Sequence, residues 1–198
     1  MPTHPTLEPA PESIETERLL LRPYQAGDGA VLIEAIEESR AEMDAWLNWP
    51  KNIQTIDDAE DLCIRRRADW LRRIEFTYGI FLRESNQYIG AIGLHNIDWS
   101  NRTLEVGYFV RRSATGNGYA SEALIAVTNV AINELSFNRV ELSCDSQNLA
   151  SARVAERASF VFEGRLRNLE RGEDGTLRDF LIYSRIPNDE GDAGASPS

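Results

Sequence analysis

Between residues 76 and 110 the chain lays down three apolar runs in quick succession, 76–84, 87–97 and 103–110, each too short for a buried helix. Ser85-Asn86 and Trp99-Ser100-Asn101 supply turns between them, so all three can satisfy their backbones as an antiparallel meander. A sheet in mid-chain needs cover, and the flanking sequence offers it. Leu19 and Leu21 alternate with Arg18 and Arg22, a strand period that Pro23 ends. Asp28 is placed to cap a helix to about Ser39, and a second helical stretch passes through Met43, Trp46 and Leu47 to Pro50. Asp57 is placed to cap a third helix, with Leu62, Trp70 and Leu71 on one face. After the meander come a helix over 118–135, a strand over 139–144 and a helix over 151–158. Strands near 160–169 and 177–185 follow, with Asp174-Gly175 as their hairpin turn. That order predicts an α/β (α+β) domain, a single mixed, mostly antiparallel seven-stranded sheet with helices on both faces.

The 198 residues leave room for one domain, placed at 16–186. Tails at 1–15 and 187–198 are expected to be disordered, the first broken by Pro2, Pro5, Pro9 and Pro11, the second acidic and small. The net charge of −11 lacks the positive field that direct nucleic-acid binding needs. No window approaches the roughly 18 apolar residues of a membrane helix, and the N-terminus has no secretory pattern, so a cytoplasmic location without membrane contact is expected. Cys63 and Cys144 are far apart, without a CxxC or a nearby His, which predicts no metal site. Arg65, Arg66, Arg67, Arg72 and Arg73 read as a solvated helix face near Asp58, Glu60 and Asp61.

The end of the third run carries the chemistry. Tyr108-Phe109-Val110-Arg111-Arg112-Ser113-Ala114-Thr115-Gly116-Asn117-Gly118-Tyr119-Ala120 is a strand, a glycine-containing loop and the start of a helix. Such an arrangement turns several backbone N–H groups toward one point at the positive end of a helix, which suits a pyrophosphate. By themselves two glycines before a helix equally describe a tight turn. A dinucleotide-binding loop wants a third glycine at position 121, where Ser121 stands, so a nucleotide-dependent oxidoreductase is disfavoured.

Thr115, Gly116, Asn117, Gly118, Tyr119 and Ala120 resemble the acyl-CoA pyrophosphate loop Q/R-x-x-G-x-G/A of the GCN5-related N-acetyltransferase (GNAT) superfamily, with Thr115 in place of the usual Gln or Arg. The run Thr-Gly-x-Gly-x-Ala before Glu-Ala is similar to the RimJ/RimL-type ribosomal-protein N-acetyltransferase branch. Glu17-Arg18-Leu19-x-Leu21-Arg22, Trp46-Leu47-Asn48-Trp49-Pro50, Ile89-Gly90-x-Ile92-Gly93-Leu94, Glu105-Val106-Gly107-Tyr108 and Asn148-x-x-Ser151 before Phe160 and Glu163-Gly164 occur in that branch's order, so the likeness spans 16–186.

The resemblance implies a GNAT fold and direct transfer of an acetyl group from acetyl-CoA to a primary amine, with no metal and a homodimer common in the branch. Phe109, Val110, Arg111, residues 115–120, Asn148 and Ser151 are the implied cofactor contacts, and Trp46, Trp49, Glu105 and Tyr108 the implied acceptor site. Glu170, nineteen residues after Ser151, is the implied base, for which partial burial is expected. Ser151 is open to two readings, a helix cap or a hydroxyl that donates to the departing thiolate. The acceptor expected is a protein N-terminus, because roughly one α-amine in seven is neutral at pH 7 against about one lysine in 2,500. A small-molecule amine, or CoA binding without catalysis, are the alternatives.

Overall fold

The computed structural model describes residues 4–172 and 175–189. The eight strands are β1 (Ile14–Glu15), β2 (Leu19–Pro23), β3 (Phe76–Leu82), β4 (Tyr88–Asp98), β5 (Thr103–Val110), β6 (Arg139–Asp145), β7 (Val161–Arg171) and β8 (Leu177–Arg185). They form one sheet in the order β1-β2-β3-β4-β5-β6-β8-β7. Every pairing is antiparallel except β5 with β6. The helices are α1 (Gly29–Asp44), α2 (Ile56–Leu71), α3 (Tyr119–Asn129) and α4 (Leu149–Arg157).

The core divides in two across the sheet. α1 presents Leu32, Ala35, Ile36 and Met43 at helical period and packs with Ala59, Leu62 and Cys63 of α2 against Phe81, Tyr88, Ala91 and Phe109. Ala123, Leu124 and Val127 of α3 join Ala152 and Ala155 of α4 over Ile92, Leu94, Val106 and Leu142 in the larger cluster. Cys63 and Cys144 are both free thiols, and both are buried.

Several local expectations are corrected. Strand one is preceded by another, β1, whose Ile14 pairs with Leu21, so the sheet has eight strands and not seven. From His4 onward, residues of the expected N-terminal tail pack on the body: Glu8 pairs with Arg102 at 2.7 Å and Tyr78 donates to the Pro11 carbonyl. Of the C-terminal tail, residues 190–198 lie outside the described residues, as does Asp174 of the hairpin turn; Gly175 has φ +80°. α1 is a single helix, running past Ser39 to Asp44. Asp28 does not cap it, because its carboxylate is taken by Arg22 at 2.7 and 2.9 Å. Glu60 of α2 accepts the Gly27 and Gly29 amides instead, which ties the two helices together. Thr55, not Asp57, caps α2 through a reciprocal box with Asp58. α3 stops at Asn129 and a π turn carries the chain over Val130–Glu134.

The basic cluster is internally compensated. Arg65 pairs with Asp61, Arg66 with Glu75, Arg67 with Glu12 and Arg72 with Asp69, while Arg73 donates to the Glu8 and Trp70 carbonyls.

β4 and β5 touch too closely at Gly90 for any side chain: a Cβ there would stand 2.2 Å from the Phe109 carbonyl oxygen. Gly90→Ala is expected to lower stability by about 2–3 kcal/mol through overpacking, read as a shift in the denaturant midpoint without loss of far-UV signal. A wild-type midpoint would contradict the close approach of β4 to the end of β5.

Candidate active site

β5 and β6 pair over only three rungs, Thr103, Leu104 and Glu105 with Arg139, Val140 and Glu141. β5 then stays with β4 as far as Val110, while β6 stays with β8 as far as Asp145 opposite Phe180. Between the diverging strands lies a cavity of about 500 Å³, lined by Val106–Val110 and Leu142–Asp145. Its walls are completed by the C-terminal part of α1, the loop before α3, and the start of α4.

At one end stands the loop. Gly116 and Gly118 have φ of +79° and +80°, a conformation that glycine adopts at little cost. The first intrahelical bond of α3 runs from Glu122 to the Gly118 carbonyl, so the amides of Tyr119, Ala120 and Ser121 have no acceptor within the helix. All three residues line the cavity. The Ser121 hydroxyl, in a residue only 9% exposed, has no hydrogen-bond partner among the described residues. Arg18 braces the loop from β2's side, donating to the Asn117 carbonyl at 3.0 Å and to Glu122 at 2.6 Å, and Thr16 donates to Glu122 at 2.5 Å. Arg112 and Arg157 also line the cavity, and the Arg112 guanidinium stands 3.8 Å from the Glu42 carboxylate.

Arg111, an expected cofactor contact, turns the other way. It is buried and donates to Glu34 at 2.7 Å and to Glu38, while the Ser113 amide donates to Glu38 at 2.6 Å. Those bonds, the guanidinium first and the amide second, hold the Glu38 carboxyl down to about 2 from its ordinary 4.5. Asn117 is likewise occupied by the loop, its amide donating to the Ala114 and Thr115 carbonyls. Phe109, Val110, Thr115, Gly116, Gly118, Tyr119 and Ala120 do line the cavity.

In the middle, Asn148 caps α4 by accepting the Ser151 amide at 3.1 Å. Ser151 is therefore three residues inside the helix and is not its cap. Its hydroxyl faces the Tyr108 hydroxyl at 3.1 Å, and the Cys144 thiol adjoins it. Burial pushes the Tyr108 phenol up to about 12, a shift that the Ser151 bond reduces, so the pair stays protonated across the neutral range.

The far end is formed by Met43, Trp46, Leu47, Asp145 and Phe180. Trp46 is 43% exposed and reaches the cavity, whereas Trp49 packs on the Phe109 ring at 5.6 Å and does not. Glu105 sits on the last paired rung beside His95 and Asn96, outside the cavity. Glu170 is exposed on β7 opposite Arg178, where partial burial had been expected. Directly opposed residues project to the same face, and Arg178 reaches the Ala45 carbonyl at 3.1 Å. Glu170 therefore stands at the rim of this end and not in its wall. Asp145, Ser121, Arg157 and Phe180 were missed. Asp145 closes a strand whose alternation carries no sign of a cavity, and Ser121 registers in the sequence only as a missing glycine.

Residues 18–161 match the acetyltransferase (GNAT) domain family. The chain belongs to the GNAT family and is an N-acetyltransferase. It is 29% identical over 175 residues to an uncharacterized N-acetyltransferase p20 of Bacillus licheniformis, covering 88% of this chain and 96% of that one. The ribosomal-protein-serine acetyltransferase of Escherichia coli is 28% identical over 155 residues, 78% of this chain and 85% of that one. Among solved structures, RimL, a ribosomal L7/L12 α-N-protein acetyltransferase in complex with coenzyme A, superposes with a TM-score of 0.82 at 24% identity, over 88% of this chain and 98% of that one. Among the described residues no group of His, Cys, Asp or Glu could hold a metal, and no helix is long and apolar enough to cross a membrane.

The Arg111–Glu38 pair fixes the loop to α1 and gives a pH signature. Because Glu38 is depressed in the folded state, its stabilisation is complete above about pH 4.5 and is lost as pH falls toward 2. Glu38→Gln is expected to flatten this part of the acid limb in unfolding midpoints measured from pH 5 to 2. An acid limb as steep as wild type would show that Glu38 is not the titrating group.

Proposed function

We propose that the cavity holds acetyl-CoA across the sheet and that the acetyl group passes directly to the N-terminal amine of a protein. The observation that carries this reading is the polarity of the cavity. Free helix amides collect at one end, a pair of protonated hydroxyls lies in the middle, and Asp145 lies at the other end. A diphosphate suits the first end, because unpaired amides at a helix N-terminus are aimed at it. The orphaned Ser121 hydroxyl and the open space beside Gly116 fit such an occupant. When bound, the thioester supplies the acetyl group and a thiolate that can leave.

The chain's own groups complete the chemistry. Ser151, backed by Tyr108, is proposed to donate its proton toward the thiolate, a role its hydroxyl is free to play because Asn148 does the capping. Glu170, at the rim, is the proposed proton acceptor for the incoming amine. A protein acceptor is supported by the name of the Escherichia coli relative, which acts on a ribosomal protein's serine.

Acetyl-CoA turnover against peptide N-termini and free small amines tests the reading. Faster turnover of small amines than of every peptide would replace the protein acceptor, and CoA binding with no thiol release would remove the enzyme. Gly118→Glu is expected to abolish CoA binding in calorimetry while leaving the fold intact, because its φ of +80° and the closeness of the phosphate site both exclude a long side chain. Glu170→Gln and Ser151→Ala are each expected to lower kcat by about 10²-fold with acetyl-CoA affinity nearly unchanged. Full turnover by either variant at pH 7 would take that residue out of the mechanism.

A further inference from the structure

We infer that Asp145 is the residue that receives the acceptor's ammonium group, and so restricts the enzyme to amines that arrive charged. This inference rests on the transferase reading above. Asp145 is the last residue of β6, is 8% exposed, and lines the acceptor end of the cavity. A carboxylate offers about four lone-pair positions. Here Oδ1 accepts one bond, from the Gln147 amide at 2.8 Å. Oδ2 accepts none among the described residues, and the nearest cation, Arg178 Nη1, stands 3.7 Å away, beyond hydrogen-bond reach.

A carboxylate that is nine-tenths buried and so sparsely hydrogen-bonded is costly to hold. A primary ammonium entering the cavity would supply the missing donors. Arg178 does not fill the place, because its guanidinium is anchored on the Ala45 carbonyl. The surroundings limit the shape of the guest. Phe180 lies opposite Asp145 in the register, and Met43, Trp46 and Leu47 make the rest of the wall apolar, so a slim chain ending in –NH₃⁺ suits it better than a broad polar group. An α-amine near pKa ~7.8 is about six-sevenths protonated at pH 7, so the docked form is the abundant one. Docking sets the nitrogen in place, and the proton leaves afterwards to the rim.

The test uses the full chain saturated with CoA. It is titrated calorimetrically with a short peptide bearing a free N-terminal serine, with serinamide, and with the N-acetylated counterpart of each. Wild type is expected to bind the free-amine form of at least one probe about tenfold or more tightly than its acetylated counterpart. Asp145→Asn should bind both forms alike while keeping CoA affinity, and Asp145→Glu should keep the preference. In turnover, Asp145→Asn should raise the acceptor KM with a smaller change in kcat, a split that a merely structural role would not produce. Should Asp145→Asn fail to fold, Asp145→Ser, which retains an acceptor for the Gln147 amide, replaces it. A wild-type preference in Asp145→Asn or Asp145→Ser overturns the inference, as does a wild type that binds CoA but does not distinguish the amines. In both cases the transferase reading stands. A wild type that binds no CoA overturns that reading and this inference together.

Discussion

The parting of β5 from β6 after three rungs is what the rest of the molecule is arranged around. A continuous sheet would leave no route from one face to the other. Here the two strands keep their other neighbours, β4 and β8, so the opening is held by full ladders on both sides. The edges facing the gap carry main-chain groups that a continuous ladder would have consumed. The larger apolar cluster spans the gap, joining Val106 of β5 to Leu142 of β6, whereas the smaller one packs on β3, β4 and β5.

Much of the charge near the site is spent on geometry and not on a ligand. Arg111 and Arg112 are neighbours, yet one is buried on Glu34 and Glu38 while the other lines the cavity. Arg18 and Glu122 likewise hold the loop's second half to β2. These pairs fix the direction in which the amides of α3 point, and preorganised amides stabilise an anion better than groups that must reorient. The cavity therefore has a polarity set by the backbone as much as by side chains.

The carboxylates divide in the same way. Glu105 is held on the last rung by Asn96, Glu38 by Arg111 and the Ser113 amide, and Glu163 by Arg139 and Ser184, which leaves Asp145 under-coordinated inside and Glu170 exposed at the rim. A chain with this excess of acid can use carboxylates as local fixtures, and the two proposed to act on the acceptor are not tied down in that way.

What the sequence determined by itself was short-range. Strand periods, the glycines before α3, the Asn148 and Ser151 spacing and the order of elements all depend on residues within a few positions of one another, and they were legible. The family likeness followed from the same local signals. The tertiary structure decided which side of the sheet each charge faced. Arg111 against Arg112, Trp49 against Trp46, and Asp145 against Glu105 differ by register, strand divergence and the partner that another element happens to present. Capping was misjudged for a related reason: Asp28 was drawn away by Arg22 and replaced by Glu60 from a different helix. Such choices are made by groups far apart in the chain, whose competition is settled only when the sheet and helices have come together.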